Sequence, residues 1–165
     1  PPCTHLAVSG ARHFARKVAS GEQQEALDFV RMLLDAPVPK ICLENPVSII
    51  STRIRKPSQV VQPWMFGHGE TKATCLWLKG LPKLRPTNPV DGRKPRVHHM
   101  PPGPNRWKDR SRTYEGIALA MAEQWGSDLT HNPSGKGRPL VDVPLTNVLC
   151  GASRSNFTIM CAQND

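Results

Sequence analysis

Two side chains have the types and the setting for covalent chemistry on an electron-poor ring. Cys3 stands in Pro1-Pro2-Cys3-Thr4-His5, and Glu44 stands in Leu43-Glu44-Asn45-Pro46. A thiolate is a strong nucleophile toward an electron-poor carbon, and a carboxyl that stays protonated neutralises the charge which that attack pushes onto the ring. Both residues also have an ordinary use. A single cysteine is commonly a small core residue, and Asn-Pro after a strand is commonly a turn. On spacing alone the packing role is the more frequent one.

The elements that would position this pair are legible in the apolar pattern. Gly21-Glu22-Gln23-Gln24-Glu25 leads into Ala26, Leu27, Val30, Leu33 and Leu34, apolar positions recurring at three and four with acids in the first turn, the pattern of an amphipathic helix. It stops at Ala36-Pro37, because proline disfavours helical geometry in its predecessor, and Lys40-Ile41-Cys42-Leu43 follows as a short buried strand ending at Glu44-Asn45-Pro46. A helix feeding an apolar strand is half of a βαβ unit. With a strand preceding Pro1, the two strands would be parallel neighbours, and Cys3 and Glu44 would meet at their carboxyl ends, where open α/β sheets bind ligands.

Further along, Ser58 to Phe66 and Lys72 to Leu78 are β-prone runs separated by Gly67-His68-Gly69-Glu70, which predicts an antiparallel hairpin. Residues 82–105 hold seven prolines and five basic residues, a long basic loop. Ser111 or Thr113 would cap a last helix whose face is Ile117, Ala118, Met121, Ala122 and Trp125, ending at Gly126. Trp64, Trp77 and Trp125 fall on apolar stripes and are expected in the core rather than as base-stacking platforms. Residues 127–165 carry no net charge, only Leu140 to Leu149 is mildly strand-forming, and this tail is either an edge strand or a disordered extension without an assigned role.

The 165 residues include 22 Lys+Arg and 13 Asp+Glu, a formal net charge of +9. Nothing in the sequence approaches the roughly 18 apolar residues of a membrane span, and glycine has no three-residue period, so transmembrane and collagenous classes are excluded. The five cysteines are odd in number, form no CxxC pair and follow no secretory signal, which fits a reducing, cytoplasmic setting and no metal site; His98-His99 has no second ligand pair at metal spacing. Residues 53–112 hold fourteen Lys/Arg against Glu70, Asp91 and Asp109, a segment charge of +11. Charge so concentrated suits a polyanion, because each phosphate neutralised by Lys or Arg releases counterions. A solvated basic loop is the alternative.

Five stretches together resemble the phage and prophage proteins described as DNA cytosine-C5 methyltransferase-like: Pro1-Pro2-Cys3-Thr4-His5-Leu6, Leu43-Glu44-Asn45-Pro46-Val47, Gln62-Pro63-Trp64-Met65-Phe66-Gly67-His68, Lys72-Ala73-Thr74-Cys75-Leu76-Trp77-Leu78 and Arg112-Thr113-Tyr114. Their order and spacing carry the resemblance from Pro1 to about Gly126. It implies a partial Rossmann-like α/β sheet, parallel strands with an antiparallel hairpin and helices packed on it, with residues 1–126 as the catalytic part. Pro2-Cys3 looks like the family's nucleophile motif, and Glu44-Asn45-Pro46 like its acid motif, in which Val more usually follows the Asn.

The chemistry this implies is attack of the Cys3 thiolate on C6 of cytosine, protonation of N3 by Glu44, and methylation of C5 from S-adenosylmethionine, on a base flipped out of the DNA. Pro2, Thr4, Asn45, Pro46, Lys72 and Thr74 are the candidate substrate contacts. Arg53, Arg55, Lys56, Arg110 and Arg112 are the candidate phosphate ligands. Thr4 and His5 serve equally well as helix caps. The family's cofactor loop and acid are absent from the sequence, which places the S-adenosylmethionine half upstream of Pro1. The rival expectations are an amino-methyltransferase using Pro1-Pro2, a non-catalytic basic nucleic-acid-binding remnant, and an enzyme of free pyrimidine nucleotides.

Overall fold

Helix α2, Glu22–Asp35, forms where the apolar spacing requires it, with Leu27, Val30 and Leu34 buried and Glu22 and Glu25 in its first turn. The computed structural model describes Pro1, residues 3–126 and the strand Phe157–Met160. Gly21 begins α2 in the left-handed region at φ 81°, and the Lys79 amine donates to the Ala36 carbonyl at 2.9 Å where the helix leaves carbonyls unpaired. Upstream lie a 3-10 turn, Val8–His13, and a short helix α1, Phe14–Ala19. Its only buried member is Lys17, whose amine donates to the Thr4 carbonyl, so no apolar periodicity announced it.

Strand β1 spans Lys40–Pro46, three residues beyond the apolar run. The extension comes from pairing: β1 lies antiparallel to β3, Thr74–Lys79, with Glu44 opposite Leu76, Asn45 opposite Cys75 and Pro46 opposite Thr74. Between them come a four-residue helix α3, Ile50–Arg53, and strand β2, Gln59–Val61, antiparallel to β3. The sheet order is β2-β3-β1-β4, with β4 at Phe157–Met160 parallel to β1.

Two expectations are corrected here. The protein is mixed α/β, but β2, β3 and β1 form an antiparallel sheet, because no crossover helix of the length parallel pairing requires separates them. Among the described residues the parallel neighbour of β1 is β4; the run Leu140 to Leu149 lies outside the described residues. The hairpin expected over Ser58–Phe66 and Lys72–Leu78 pairs as an antiparallel ladder, yet its first strand ends at Val61. Pro63 has no N–H to donate, and a 3-10 turn at Pro63–Met65 takes over.

Alternation along the strands divides the core. On one face Leu43, Cys75 and Trp77 pack with Leu6, Leu27, Val30 and Leu34 from the opening segment and α2. On the other, Cys42, Leu76 and Leu78 meet helix α5, Glu115–Gly126, through Ile117, Ala120, Met121 and Trp125. The predicted α5 face is right except at Ala122, which is exposed while Ala120 is buried. Trp77 and Trp125 are core residues as expected; Trp64 instead lies 3.9 Å beneath the Arg93 guanidinium. The proline-rich stretch 82–105 contains no helix or strand and is followed by a short helix α4, Arg106–Ser111. Side-chain amides tie it down: Gln59 bonds both the N–H and the carbonyl of Leu84, and Gln124 does the same for Arg85.

Candidate functional site

The carboxyl end of β1 delivers Glu44 to the α5 side of the sheet. There it lines a narrow cavity with Lys72, Thr74, Thr113, Tyr114, Ile117 and Met121. Burial pushes the Glu44 carboxyl above the ordinary carboxylate range, with the positive charge of Lys72 opposing it. Burial likewise lowers Lys72, while Glu44 and the Cys3 thiol both lie close enough to pull it back up. Desolvation outweighs attraction for both partners, so the acid is held toward its neutral, proton-donating form. A folded-state pKa raised above its unfolded value contributes stability that is present in acid and lost as pH rises through the folded value. Glu44→Gln is therefore expected to unfold at higher denaturant than the wild type at neutral pH, with the gap closing below about pH 4. Urea titrations across pH check this, and a constant gap would contradict it.

Cys3 comes within electrostatic reach of Lys72 by a different route. Its carbonyl accepts from the N–H groups of Leu6 (3.1 Å) and Ala7 (2.8 Å), curling the segment into a turn. Val8 N–H then donates to the Val47 carbonyl and Ile49 N–H to the Leu6 carbonyl, lashing that turn to the exit of β1. Asn45, fully buried, donates from Nδ2 to the Pro1 carbonyl at 3.2 Å, while its Oδ1 has no partner. Asn45 thus tethers the strand carrying Glu44 to the chain carrying Cys3. The Cys3 thiol is free and half-buried.

Of the other candidates, Thr74 faces the cavity with its hydroxyl on the Lys72 carbonyl, and Pro46 closes β1 opposite it. The Lys72 amine donates to the Arg112 carbonyl at 2.9 Å, and Arg110 is near enough to lower Lys72 further. Thr4 is exposed, and no side-chain cap bond from Thr4 or His5 is formed; the His5 ring turns toward Glu22, 4.0 Å away. Pro2 lies outside the described residues. Arg53, Arg55 and Lys56 are exposed, but Arg55 is at the far end of β3, beside Leu78, rather than at the Glu44 crevice.

Missed in the sequence was a polar cluster beside the cavity. Tyr114 donates from its hydroxyl to Glu70 Oε2 at 2.7 Å, Arg96 Nε donates to the same oxygen at 2.9 Å, and His68 Nε2 accepts from the Gly116 N–H. For Glu70, burial acts to raise the carboxyl, but the bonds from Tyr114 and Arg96 prevail and hold it below the usual range. Burial and the Glu70 bond push Tyr114 up to about 12. The available signal was one of three acids in a basic segment and the chain's single tyrosine. That tyrosine makes the cluster measurable: phenolate absorbance is expected to appear near pH 12 in the folded protein and near 10 when it is unfolded. A folded midpoint near 10 would mean the bond is not made.

A Cβ on Gly67 would meet Asn88 Nδ2 at 2.9 Å, and one on Gly69 would meet the Asp91 carbonyl at 3.1 Å, so these glycines let the proline-rich loop pack closely. Gly135-Lys136-Gly137 lies outside the described residues. Among the described residues no group of three or more His, Cys, Asp or Glu could hold a metal, and no helix is long and apolar enough to cross a membrane. No protein-family model, curated protein or solved structure matches the chain.

Proposed function

We propose that this chain carries the pyrimidine-activating centre of a DNA cytosine-C5 methyltransferase. The observation that supports it most is the Glu44 carboxyl, held toward its neutral form by burial, with the Cys3 thiol and Glu44 sharing Lys72 as a neighbour. The Cys3 thiolate adds to C6 of cytosine, and its electron pair moves through the ring to N3, which takes the Glu44 proton. C5 becomes an enamine carbon and thus a nucleophile. S-adenosylmethionine, when supplied, is the methyl donor to that carbon, and none of the described residues carries that transfer. Lys72 restores charge balance once Glu44 has given up its proton. The positive rim formed by Lys72, Arg96 and Arg110 suits the phosphates flanking a flipped base.

Addition and reversal at C6 need no methyl donor, so the test is exchange. The enamine carbon picks up a solvent deuteron, and elimination of Cys3 returns cytosine with its C5 hydrogen replaced. Incubation of the full chain with a cytosine-containing oligonucleotide in deuterium oxide is expected to label C5, read by mass spectrometry. A second reading, a non-catalytic basic nucleic-acid binder, is favoured by the +11 of residues 53–112. It requires salt-sensitive binding without any C5 label.

A further inference from the structure

A second cavity lined by described residues lies at the opposite end of the sheet. It measures about 240 Å³ and is lined by apolar Leu34, Ile54 and Leu78 together with the cationic Arg31, Arg55 and Lys79. Lys79 pairs across from Ile41, whereas Thr74 pairs across from Pro46, which separates this cavity from the Glu44 crevice by five strand residues, about 16 Å. The Cys3 and Glu44 chemistry does not use it.

Each cationic head is aimed by one or two contacts and keeps donors to spare. Lys79 Nζ donates to the Ala36 carbonyl at 2.9 Å and has two more hydrogens. Arg31 gives Nη1 to Asp28 at 2.7 Å and Nη2 to the Arg53 carbonyl at 3.5 Å, and Arg55 gives Nη2 to the Leu78 carbonyl at 3.5 Å; a guanidinium has five donors. The lining holds a single carboxylate, Asp35, exposed at the rim. The carbonyl end of α2 opposes an anion here, and Lys79 offsets it by occupying the Ala36 oxygen. Two guanidinium forks and an ammonium in one lining match the several acceptor oxygens of a phosphate, and apolar neighbours strengthen charge-assisted bonds by limiting water.

We propose that this cavity is an oxyanion site that takes a phosphate or diphosphate group, whether from a free nucleotide or from a DNA backbone. The site is independent of catalysis at Cys3. Calorimetric titration of the full chain with pyrophosphate at low salt is expected to show saturable one-to-one binding. Arg55→Gln, at an exposed side chain, should weaken it about tenfold, the loss of one charge-assisted contact. Asp35→Asn should tighten it severalfold. Arg12→Gln removes the same charge from the exposed 3-10 turn Val8–His13 and should leave the affinity unchanged. No saturable binding, or equal losses in Arg55→Gln and Arg12→Gln, would overturn the site. Fluorescence anisotropy with a short duplex then names the source: a parallel loss in Arg55→Gln assigns the site to backbone phosphate, and an unchanged duplex affinity assigns it to a free phosphate compound, both upholding the oxyanion site.

Discussion

Cys3→Ala is expected to reduce solvent exchange at cytosine C5 to the uncatalysed level, because the proposed addition at C6 is made by the Cys3 sulfur. Glu44→Gln should retain a residue of exchange, about 10²- to 10⁴-fold below the wild type, since loss of a positioned proton donor removes general-acid assistance but leaves the thiolate able to attack. The pH profiles separate the two roles. Exchange needs Glu44 protonated, so the wild-type rate falls with pH as the carboxyl ionises. Burial raises Glu44, which moves the falling limb upward from the ordinary carboxylate range. Glu44→Gln should abolish that limb. Wild-type exchange that persists in Cys3→Ala would end the covalent reading, and identical profiles for Glu44→Gln and the wild type would remove the acid from it.

The largest loss of stability is expected at Trp77. Its side chain is fully buried on the α2 face of β3 with Cys75, Leu43 and Leu27, and its indole N–H donates to the Arg55 carbonyl at 2.8 Å. Trp77→Ala removes the largest side chain of that cluster and leaves a void that a sheet fixed on both sides by β1 and β2 cannot close. The cost is about 3–5 kcal/mol, a large part of the 5–15 kcal/mol typical of a whole domain. Trp77→Phe keeps most of the volume; exposed Arg55 can pass its carbonyl to water, so a smaller loss of about 1–2 kcal/mol is expected. Urea midpoints for the two variants measure this. A Trp77→Ala loss below about 1 kcal/mol would show that the α2 face repacks freely.

The parts of this fold that are legible in the sequence are those whose burial imposes a period. Helix α2 and helix α5 announce themselves through Leu27, Val30, Leu34 and through Ile117, Met121, Trp125, and β1 through Ile41-Cys42-Leu43. Strand direction is a different matter. Whether β1 runs with or against its neighbour depends on how the chain returns from Pro46 to Thr74, which no local periodicity encodes. Helix α1 was invisible because its one buried residue is a lysine satisfied by a backbone carbonyl. At the site, Cys3 and Glu44 stood out by type, and Asn45 by adjacency. Tyr114 and Glu70 are 44 residues apart and meet only through tertiary packing, so nothing local linked them.

The cavity over Glu44 has a volume of about 10 Å³, room for a single water and far too little for a nucleobase. Entry of any ring therefore has to displace the Thr113-Tyr114 stretch, which Lys72 holds through Arg112 and Glu70 holds through the tyrosine hydroxyl. On the proposed reading the competent form would be a minor population, and observed affinity would be diluted by the fraction of molecules that are open. Loosening the latch at Tyr114 would then sharpen binding even as it softened the fold, and the speed of gate opening would set an upper limit on turnover.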